Sequence, residues 1–255
     1  MRKTALLACA AILGIASFAV AQAPAQTPAK PKTGATKTGT TAPRSPYDRA
    51  LLRPALLAAK APETYQVKFA TTRGDFVISV TRAWAPLGAD RFYNLVRHHY
   101  YDSASFFRVV SGFVVQFGIS AYPAVSAAWT NANIKDDPVK QSNTKSFVTY
   151  AMGGPNTRTT QVFINLRDNS RLDRDGFAPF GQVTEGMDVV EALYDQYGDG
   201  SDMGGKGPLQ GQIEKLGKTY LDKSFSKLDS IKTATVIAPA GAAPKTTAPA
   251  TKKSE

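Results

Sequence analysis

Alternating apolar and polar side chains predict a β-hairpin in the first third of the chain. Residues 65–71 read Tyr-Gln-Val-Lys-Phe-Ala-Thr, with the large apolar side chains Tyr65, Val67 and Phe69 at alternate positions. This alternation is typical of a strand that buries one face. Residues 72–75 read Thr-Arg-Gly-Asp, which favours a turn, and the apolar run 76–80 follows. The pattern therefore predicts two antiparallel strands joined by a tight connection.

Short strands recur along the chain, and helical patterns stand between them. Six further strands are predicted at residues 105–110, 113–117, 146–152, 161–166, 180–183 and 231–237. Apolar residues at helical spacing predict three helices: one that opens at Pro86, one over 185–197 and one over 210–221. The polar stretch 119–144 has no clear period and is predicted as a loop. Many short strands with helices near both ends favour an antiparallel barrel with helical caps over a parallel sheet.

The first 21 residues have the organisation of an export signal. A basic start at Arg2 and Lys3 precedes an uncharged apolar run over residues 5–20, and Ala19-Val20-Ala21 has the small-x-small pattern that signal peptidases cut. A membrane anchor is the alternative, but a run of about 16 residues is short for a bilayer crossing. We expect cleavage before Gln22, an exported protein in the bacterial periplasm or medium, and no stable membrane insertion afterwards.

Both flanks of the predicted domain have a biased composition. Residues 22–61 are rich in Ala, Pro, Thr and Lys, which predicts a flexible spacer, and four leucines within it favour a short helix near 47–60. The tail over 238–255 has the same composition and is predicted to be a disordered basic tail. The folded domain is therefore expected over residues 62–237.

The positive charge of the chain lies almost entirely outside this domain. The formal net charge is +11, but residues 61–236 hold 19 Lys and Arg against 18 Asp and Glu. A near-neutral domain argues against nucleic acid as a partner, in spite of the basic overall balance.

The counts of cysteine and histidine exclude several kinds of chemistry. The single cysteine, Cys9, lies in the predicted signal, which excludes a disulfide scaffold, a cysteine zinc site and an iron–sulfur cluster. Two histidines, His98 and His99, are too few for a three-histidine metal site. The acidic loop at 168–175 does not have the spacing of a complete calcium loop. We therefore expect neither a metal ion nor a cofactor.

Three separated segments carry a specific signature. They read Phe-Phe-Arg-Val-Val-Ser-Gly-Phe-Val-Val-Gln-Phe-Gly at 106–118, Ala-Met-Gly-Gly-Pro-Asn-Thr-Arg-Thr-Thr-Gln-Val-Phe-Ile at 151–164 and Phe-Gly-Gln-Val-Thr-Glu-Gly-Met-Asp-Val-Val at 180–190. Their order and spacing resemble the cyclophilins, a family of peptidyl-prolyl cis–trans isomerases, over about residues 65–236. The resemblance implies a mostly β fold, a closed eight-stranded antiparallel β-barrel capped by two helices, here with an extra C-terminal helix and disordered tails.

Isomerisation of an X–Pro bond explains the residue types in these segments. The reaction needs no nucleophile, metal or proton transfer, because its barrier is the loss of amide resonance. By resemblance, the guanidinium of Arg108 is catalytic and stabilises the twisted amide, and Gln116 orients it. The resemblance assigns the peptide groove and its apolar proline pocket to Phe113, Val114, Ala151, Met152, Gln161, Phe163 and Leu172. The expected substrates are proline-containing polypeptides, the expected role is the folding of exported proteins, and the expected state is a monomer.

The residues alone leave two alternatives open. Without the shared spacing, Phe113 would be assigned to the core and Arg108 to a surface ion pair. The functional alternative is a proline-peptide-binding or chaperone module on the same fold with little turnover. It is motivated by Phe107, where many family members have histidine, and by Met152 and Arg171, which also depart from the family's usual residues.

Overall fold

A computed structural model describes residues 45–237 of the chain. This range contains eight β-strands: β1 Thr64–Thr71, β2 Asp75–Thr81, β3 Arg108–Val110, β4 Val114–Phe117, β5 Phe147–Tyr150, β6 Val162–Asn165, β7 Pro179–Glu185 and β8 Ile231–Ile237. It also contains five α-helices: α1 Pro86–Arg97, α2 Pro123–Trp129, α3 Met187–Glu191, α4 Gln210–Leu216 and α5 Lys218–Ser224. All eight predicted strands are present, with ends shifted by a few residues. Within the same range, no helix combines the length and apolarity needed to cross a membrane.

The eight strands form one antiparallel sheet in the order β3-β4-β6-β5-β7-β2-β1-β8. The predicted hairpin is confirmed, because β1 pairs with β2 from Thr64 opposite Thr81 to Ala70 opposite Asp75. Along β1, side chains that point into the core alternate with more exposed ones, as the period-2 pattern predicts.

The closed barrel that the resemblance implies is a wrong prediction for this chain, because the sheet is open between β3 and β8. β3 has only three residues, and each of them pairs with β4. The segment before β3 contacts the start of β8 through an isolated bridge between Ser105 and Ser230, next to a hydrogen bond from Ile231 N to Ala104 O (2.8 Å). The short β3 forms no ladder with β8, so the curved sheet does not close and remains a half-barrel.

Aromatic side chains fill the space between the curved sheet and α1. Phe69 and Phe76 of the hairpin stack with ring centroids 4.9 Å apart, and Phe92 of α1 lies 4.9 Å from Phe180 of β7. Phe117 of β4 packs edge-to-face on Phe69 at 5.6 Å. Loss of one such buried ring typically costs about 3–5 kcal/mol. The aromatic core therefore anchors β4, one of the strands that carry the candidate site.

The stretch predicted as a loop over 119–144 contains α2. This helix begins at Pro123 and ends at Trp129, whose indole N–H donates to the carbonyl of Leu51 at 2.8 Å. Its formation depends on contacts with a segment about 80 residues away, so local periodicity does not reveal it.

Two predicted helices differ from the sequence pattern, because one is shorter than predicted and the other is divided into α4 and α5. The helix predicted over 185–197 is the short α3, and beyond it Tyr194 N donates to Asp229 at 2.8 Å. The helix predicted over 210–221 is divided at Gly217, which has φ 60° and ψ −147°. A side chain at this position would collide with the carbonyl of Ala121, so the break requires glycine.

Residues 45–61 pack on the domain, ahead of the boundary at residue 62 that composition predicts. The predicted short helix consists of two 3-10 turns, Arg49–Leu52 and Pro54–Leu56. Leu51 is 1 % exposed, and the Asn94 carboxamide of α1 donates to Ala59 O (2.7 Å) and accepts from Ala59 N (3.1 Å). Outside the described residues lie the predicted signal peptide, the first part of the spacer and the predicted tail over 238–255.

Candidate active site

An open pocket of about 410 Å³ gathers all the residues that the sequence assigns to the site. They are Arg108, Gln116, Phe113, Val114, Ala151, Met152, Gln161, Phe163 and Leu172. The lining also includes Gly153, Thr157, Thr159, Phe177, Met203 and Gln210, which sequence analysis missed. The sequence segments 106–118 and 151–164 thus converge on one surface, and their assigned roles stay predictions.

Strand pairing places a row of polar side chains along one side of the pocket. Arg108 of β3 lies directly opposite Gln116 of β4 in the antiparallel register. Arg108 Nη1 donates to Gln116 Oε1 at 3.0 Å, and Gln116 Nε2 donates to Gln161 Oε1 at 2.9 Å. A guanidinium only donates, so the amide oxygen of Gln116 has to face it. Along the row, Arg108 therefore donates to Gln116 and Gln116 donates to Gln161.

The other side of the pocket is apolar. Val114, Phe163 and Leu172 form a small buried cluster, and Phe177 packs edge-to-face on Phe163 with centroids 5.7 Å apart. Phe113 also packs against this cluster. The pocket thus pairs a well-packed apolar wall with a few polar groups, an arrangement that is typical of small binding sites.

Phe113 joins the two sides, because two guanidinium groups lie over its ring. Cζ of Arg108 is 5.6 Å from the ring centroid, and Cζ of Arg171 is 5.2 Å from it. Such cation–π contacts contribute about 0.5–1 kcal/mol at exposed sites. Arg171, one of the departures from the family pattern, therefore contacts the site through Phe113.

An acidic residue that sequence analysis missed pairs with Arg108. Asp199 Oδ1 accepts from Arg108 Nε at 2.6 Å, and Asp199 Oδ2 accepts from Arg108 Nη2 at 3.2 Å. These hydrogen bonds lower the pKa of the Asp199 carboxyl from its ordinary value, so the carboxyl is ionised at neutral pH. The five glycines within residues 198–207 signal a tight loop. Nothing in the sequence connects that loop to an arginine 91 positions earlier.

The carboxylates of the acidic loop (Asp168, Asp173 and Asp175) and the two histidines are not among the pocket-lining residues. Asp173 accepts from the side chain of Asn143 at 2.8 Å and so ties the 3-10 turn over 170–175 to the segment before β5. His98 and His99 pair with nearby carboxylates. Between residues 45 and 237, no three His, Cys, Asp or Glu side chains are grouped closely enough to share a metal ion.

Comparison with known proteins identifies the family. The family model described as "Cyclophilin type peptidyl-prolyl cis-trans isomerase/CLD" matches residues 66–217, more than half of the chain. The chain belongs to the cyclophilins. The cyclophilin is 34 % identical over 137 residues to peptidyl-prolyl cis-trans isomerase cyp18 of Streptomyces antibioticus, covering 50 % of this chain and 81 % of that protein. It is 32 % identical over 136 residues to peptidyl-prolyl cis-trans isomerase B of Escherichia coli, covering 50 % and 82 %.

A solved structure supports the fold assignment of this cyclophilin. A cyclophilin type peptidyl-prolyl cis-trans isomerase of Cryptosporidium parvum superposes with a TM-score of 0.52 and 18 % identity, covering 69 % of this chain and 98 % of that chain. At this identity the likeness concerns the fold alone, and it agrees with the predicted mostly β, antiparallel architecture. The enzyme class is confirmed by the family match and the relatives: the cyclophilin is a peptidyl-prolyl cis–trans isomerase.

The departure at Phe107 is explained by the C-terminal part of this cyclophilin. The family match ends at residue 217, before α5 and β8. Phe107 is 2 % exposed and packs with Ile119, Ile213 of α4 and Leu221 of α5. A histidine here would place a polar ring in an apolar cluster, which carries a burial cost. Position 107 thus anchors the C-terminal helices and is not among the pocket-lining residues.

Proposed function

We propose that Arg108 is the catalytic residue of this isomerase and that it acts without covalent chemistry. An amide resists rotation by about 18–20 kcal/mol because its C–N bond has double-bond character. In the twisted state the lone pair localises on the prolyl nitrogen, which can then accept a hydrogen bond. A permanently charged donor stabilises that state more than it stabilises either planar isomer, and this difference lowers the barrier.

The position of the guanidinium is the observation that carries this proposal. Gln116 holds Arg108 at 3.0 Å in a pocket whose opposite wall is apolar. A proline ring on Phe163 and Leu172 would bring its nitrogen towards the polar row. A hydrogen bond from a charged donor contributes about 1.5–3 kcal/mol, or roughly 10- to 150-fold in rate.

Proline-containing peptides are the substrate class that we propose for this pocket. The structure of the Cryptosporidium parvum relative was also determined in the presence of the dipeptide Ala-Pro. In this chain, Phe113, Phe163 and Leu172 offer an apolar surface to the ring, and Gln161 offers an amide to the flanking backbone. Together they support binding through the ring and the main chain.

The test is catalysed cis–trans exchange of a Phe-Pro peptide, measured by NMR exchange spectroscopy with the chain from residue 22 to 255. Arg108→Ala is expected to slow exchange at least tenfold. Arg108→Lys should not restore it, because one ammonium replaces a planar group with five donors. Arg53→Ala removes an exposed arginine outside the pocket lining and serves as the matched control.

Two results would contradict the catalytic role. Full activity of the Arg108→Ala variant would mean that Arg108 is not the catalytic residue. Binding of the peptide at Phe113 without any exchange by the wild-type chain would favour the binding-module alternative.

We also propose that the isomerase assists the folding of exported proteins, outside the cytoplasm and as a monomer. The support for export is the amino-terminal sequence: a basic start, an apolar run and Ala19-Val20-Ala21. Expression from Met1 in a bacterial host, fractionation and amino-terminal sequencing should find a processed chain that starts at Gln22 in the periplasm or medium. Ala21→Asp should block processing. An unprocessed chain confined to the cytoplasm would refute export, and light scattering would detect a dimer by its mass.

A further inference from the structure

The ion pair between Arg108 and Asp199 uses a specific edge of the guanidinium. A guanidinium has five N–H donors. Among contacts within residues 45–237, Nε and one N–H of Nη2 bind the two carboxylate oxygens of Asp199, and one N–H of Nη1 binds Gln116. One donor on Nη1 and one on Nη2 are left for a bound peptide. Asp199 and Gln116 together therefore set the plane of the guanidinium while leaving donors for the substrate.

Asp199 is itself held by a closed loop over residues 198–207, which we name the glycine loop. Gly200 N donates to Asp199 Oδ1 at 3.1 Å, and Gly207 N donates to the Asp199 carbonyl at 2.7 Å. A Cβ atom at Gly207 would lie 2.7 Å from that carbonyl oxygen, and one at Gly205 would lie closer still. The loop closes this tightly around Asp199 only because these positions are glycine.

The glycine loop also belongs to the wall of the pocket. Met203, at the end of its 3-10 turn Ser201–Met203, lines the same cavity as Arg108. The side chain of Arg108 is 16 % exposed and that of Asp199 is 29 % exposed. The pair is thus sheltered at the pocket edge, where a carboxylate fork restrains an arginine better than it would on an open surface.

We propose that Asp199 is a positioning residue for catalysis, which holds the Arg108 guanidinium in the orientation that the twisted amide requires. The inference rests on the proposed catalytic role of Arg108. Asp199 does not touch the reacting amide. It acts through Arg108, so its effect falls on the catalysed step more than on peptide binding.

The number of side-chain states sets the size of the effect. Each sp³ torsion has about three staggered wells. Releasing one arginine torsion lowers the population of the productive orientation about threefold, and releasing two lowers it about ninefold. Gln116 still binds Nη1 in the absence of Asp199, so the expected loss in kcat is about three- to tenfold.

The experiment compares Asp199→Ala, Asp199→Asn and Asp199→Glu in the chain from residue 22 to 255. Peptide exchange gives kcat and KM, and the ¹⁵N–¹H resonance of Arg108 Nε reports directly on its hydrogen bond. We expect Asp199→Ala to lower kcat at least threefold, to change KM less than twofold and to shift or broaden the Nε resonance. Asp199→Glu should restore part of kcat. Asp222→Ala, which removes an exposed carboxylate of α5 outside the pocket lining, should match the wild type.

Asp199→Asn guards against a folding defect, because it keeps the shape of the side chain and removes its charge. Its kcat should lie between those of Asp199→Ala and the wild type. A kcat within threefold of the wild type, or above it, in the folded Asp199→Ala and Asp199→Asn variants would overturn the proposal. If the Arg108→Ala variant loses exchange while the Asp199 variants keep it, the proposal for Asp199 fails and the catalytic role of Arg108 is still supported. Activity in Arg108→Ala would instead show that the proposed function itself fails.

Discussion

Replacement of Phe107 by alanine tests whether α4, at the end of the family match, and α5, which follows it, are part of the cooperative fold. The ring of Phe107 is 2 % exposed and joins Ile119 of the central part of the chain to Ile213 and Leu221 of α4 and α5. Its removal opens a cavity in the small cluster that connects these helices to the sheet.

The magnitude follows from the buried area. A phenylalanine buries roughly 150–250 Å², which at about 25 cal/mol per Å² corresponds to about 4–6 kcal/mol as an upper bound. Truncation to alanine keeps the β-carbon, and a cluster near the surface relaxes partly around the cavity. We therefore expect a loss of about 3 kcal/mol in the free energy of unfolding, the lower end of the range for buried rings.

The assay is urea unfolding followed by tryptophan fluorescence, supported by a thermal melt. A loss of about 3 kcal/mol corresponds to a Tm lower by about 6–12 °C for a domain of this size. Leu216→Ala is the matched control, because this residue of α4 is 51 % exposed and its truncation should cost less than about 0.5 kcal/mol. A loss below about 1 kcal/mol for Phe107→Ala would refute the reasoning. It would mean that α4 and α5 contribute little to the stability of the sheet.

Three further predictions concern the site, the amino-terminal segment and pH. Gln116→Leu removes the acceptor of Arg108 Nη1 and should lower kcat/KM about tenfold or more, measured by peptide exchange; full activity would contradict the polar row. A chain that starts at residue 62 loses the buried Leu51 and the acceptor of the Trp129 indole N–H. Its urea unfolding should show a loss of about 3 kcal/mol or more against the chain from residue 22, and equal midpoints would refute it. The hydrogen bonds from Arg108 lower the pKa of Asp199, so the stability from this pair is present above the carboxyl's unfolded pKa and is lost as pH falls through the lower folded value. The difference in unfolding free energy between wild type and Asp199→Asn should therefore stay constant from about pH 5 to 8 and shrink below about pH 4. A constant difference down to pH 2 would contradict this.

The candidate site shows which of its residues the sequence motifs could predict and which they could not. The nine predicted residues lie in one pocket because they come from strands and adjoining segments whose register a family pattern preserves: Arg108 is opposite Gln116, and Gln116 is opposite Phe163. The motif could not indicate Asp199 or Met203, since the glycine loop that carries them follows the last signature segment. Its composition indicates a tight loop and gives no information on where that loop packs.

The sequence by itself determined the local features of this protein. Alternation and short apolar runs predicted the strands and the β1–β2 hairpin, helical spacing after Pro86 predicted α1, and the shared motifs indicated the family and the pocket. These features depend on which side chains within a few residues share a face of a strand or helix. The order of residues along the chain determines this directly.

Tertiary structure decided the features that depend on contacts between segments far apart in the sequence. Only the fold shows that the sheet stays open at β3, that α2 forms against the segment around Leu51, and that Gly217 divides the last helical pattern. Only the fold brings Asp199 to Arg108. The physical reason is that each of these outcomes depends on a contact between groups far apart in sequence, and the free energy of such a contact exists only once the core has brought both groups together.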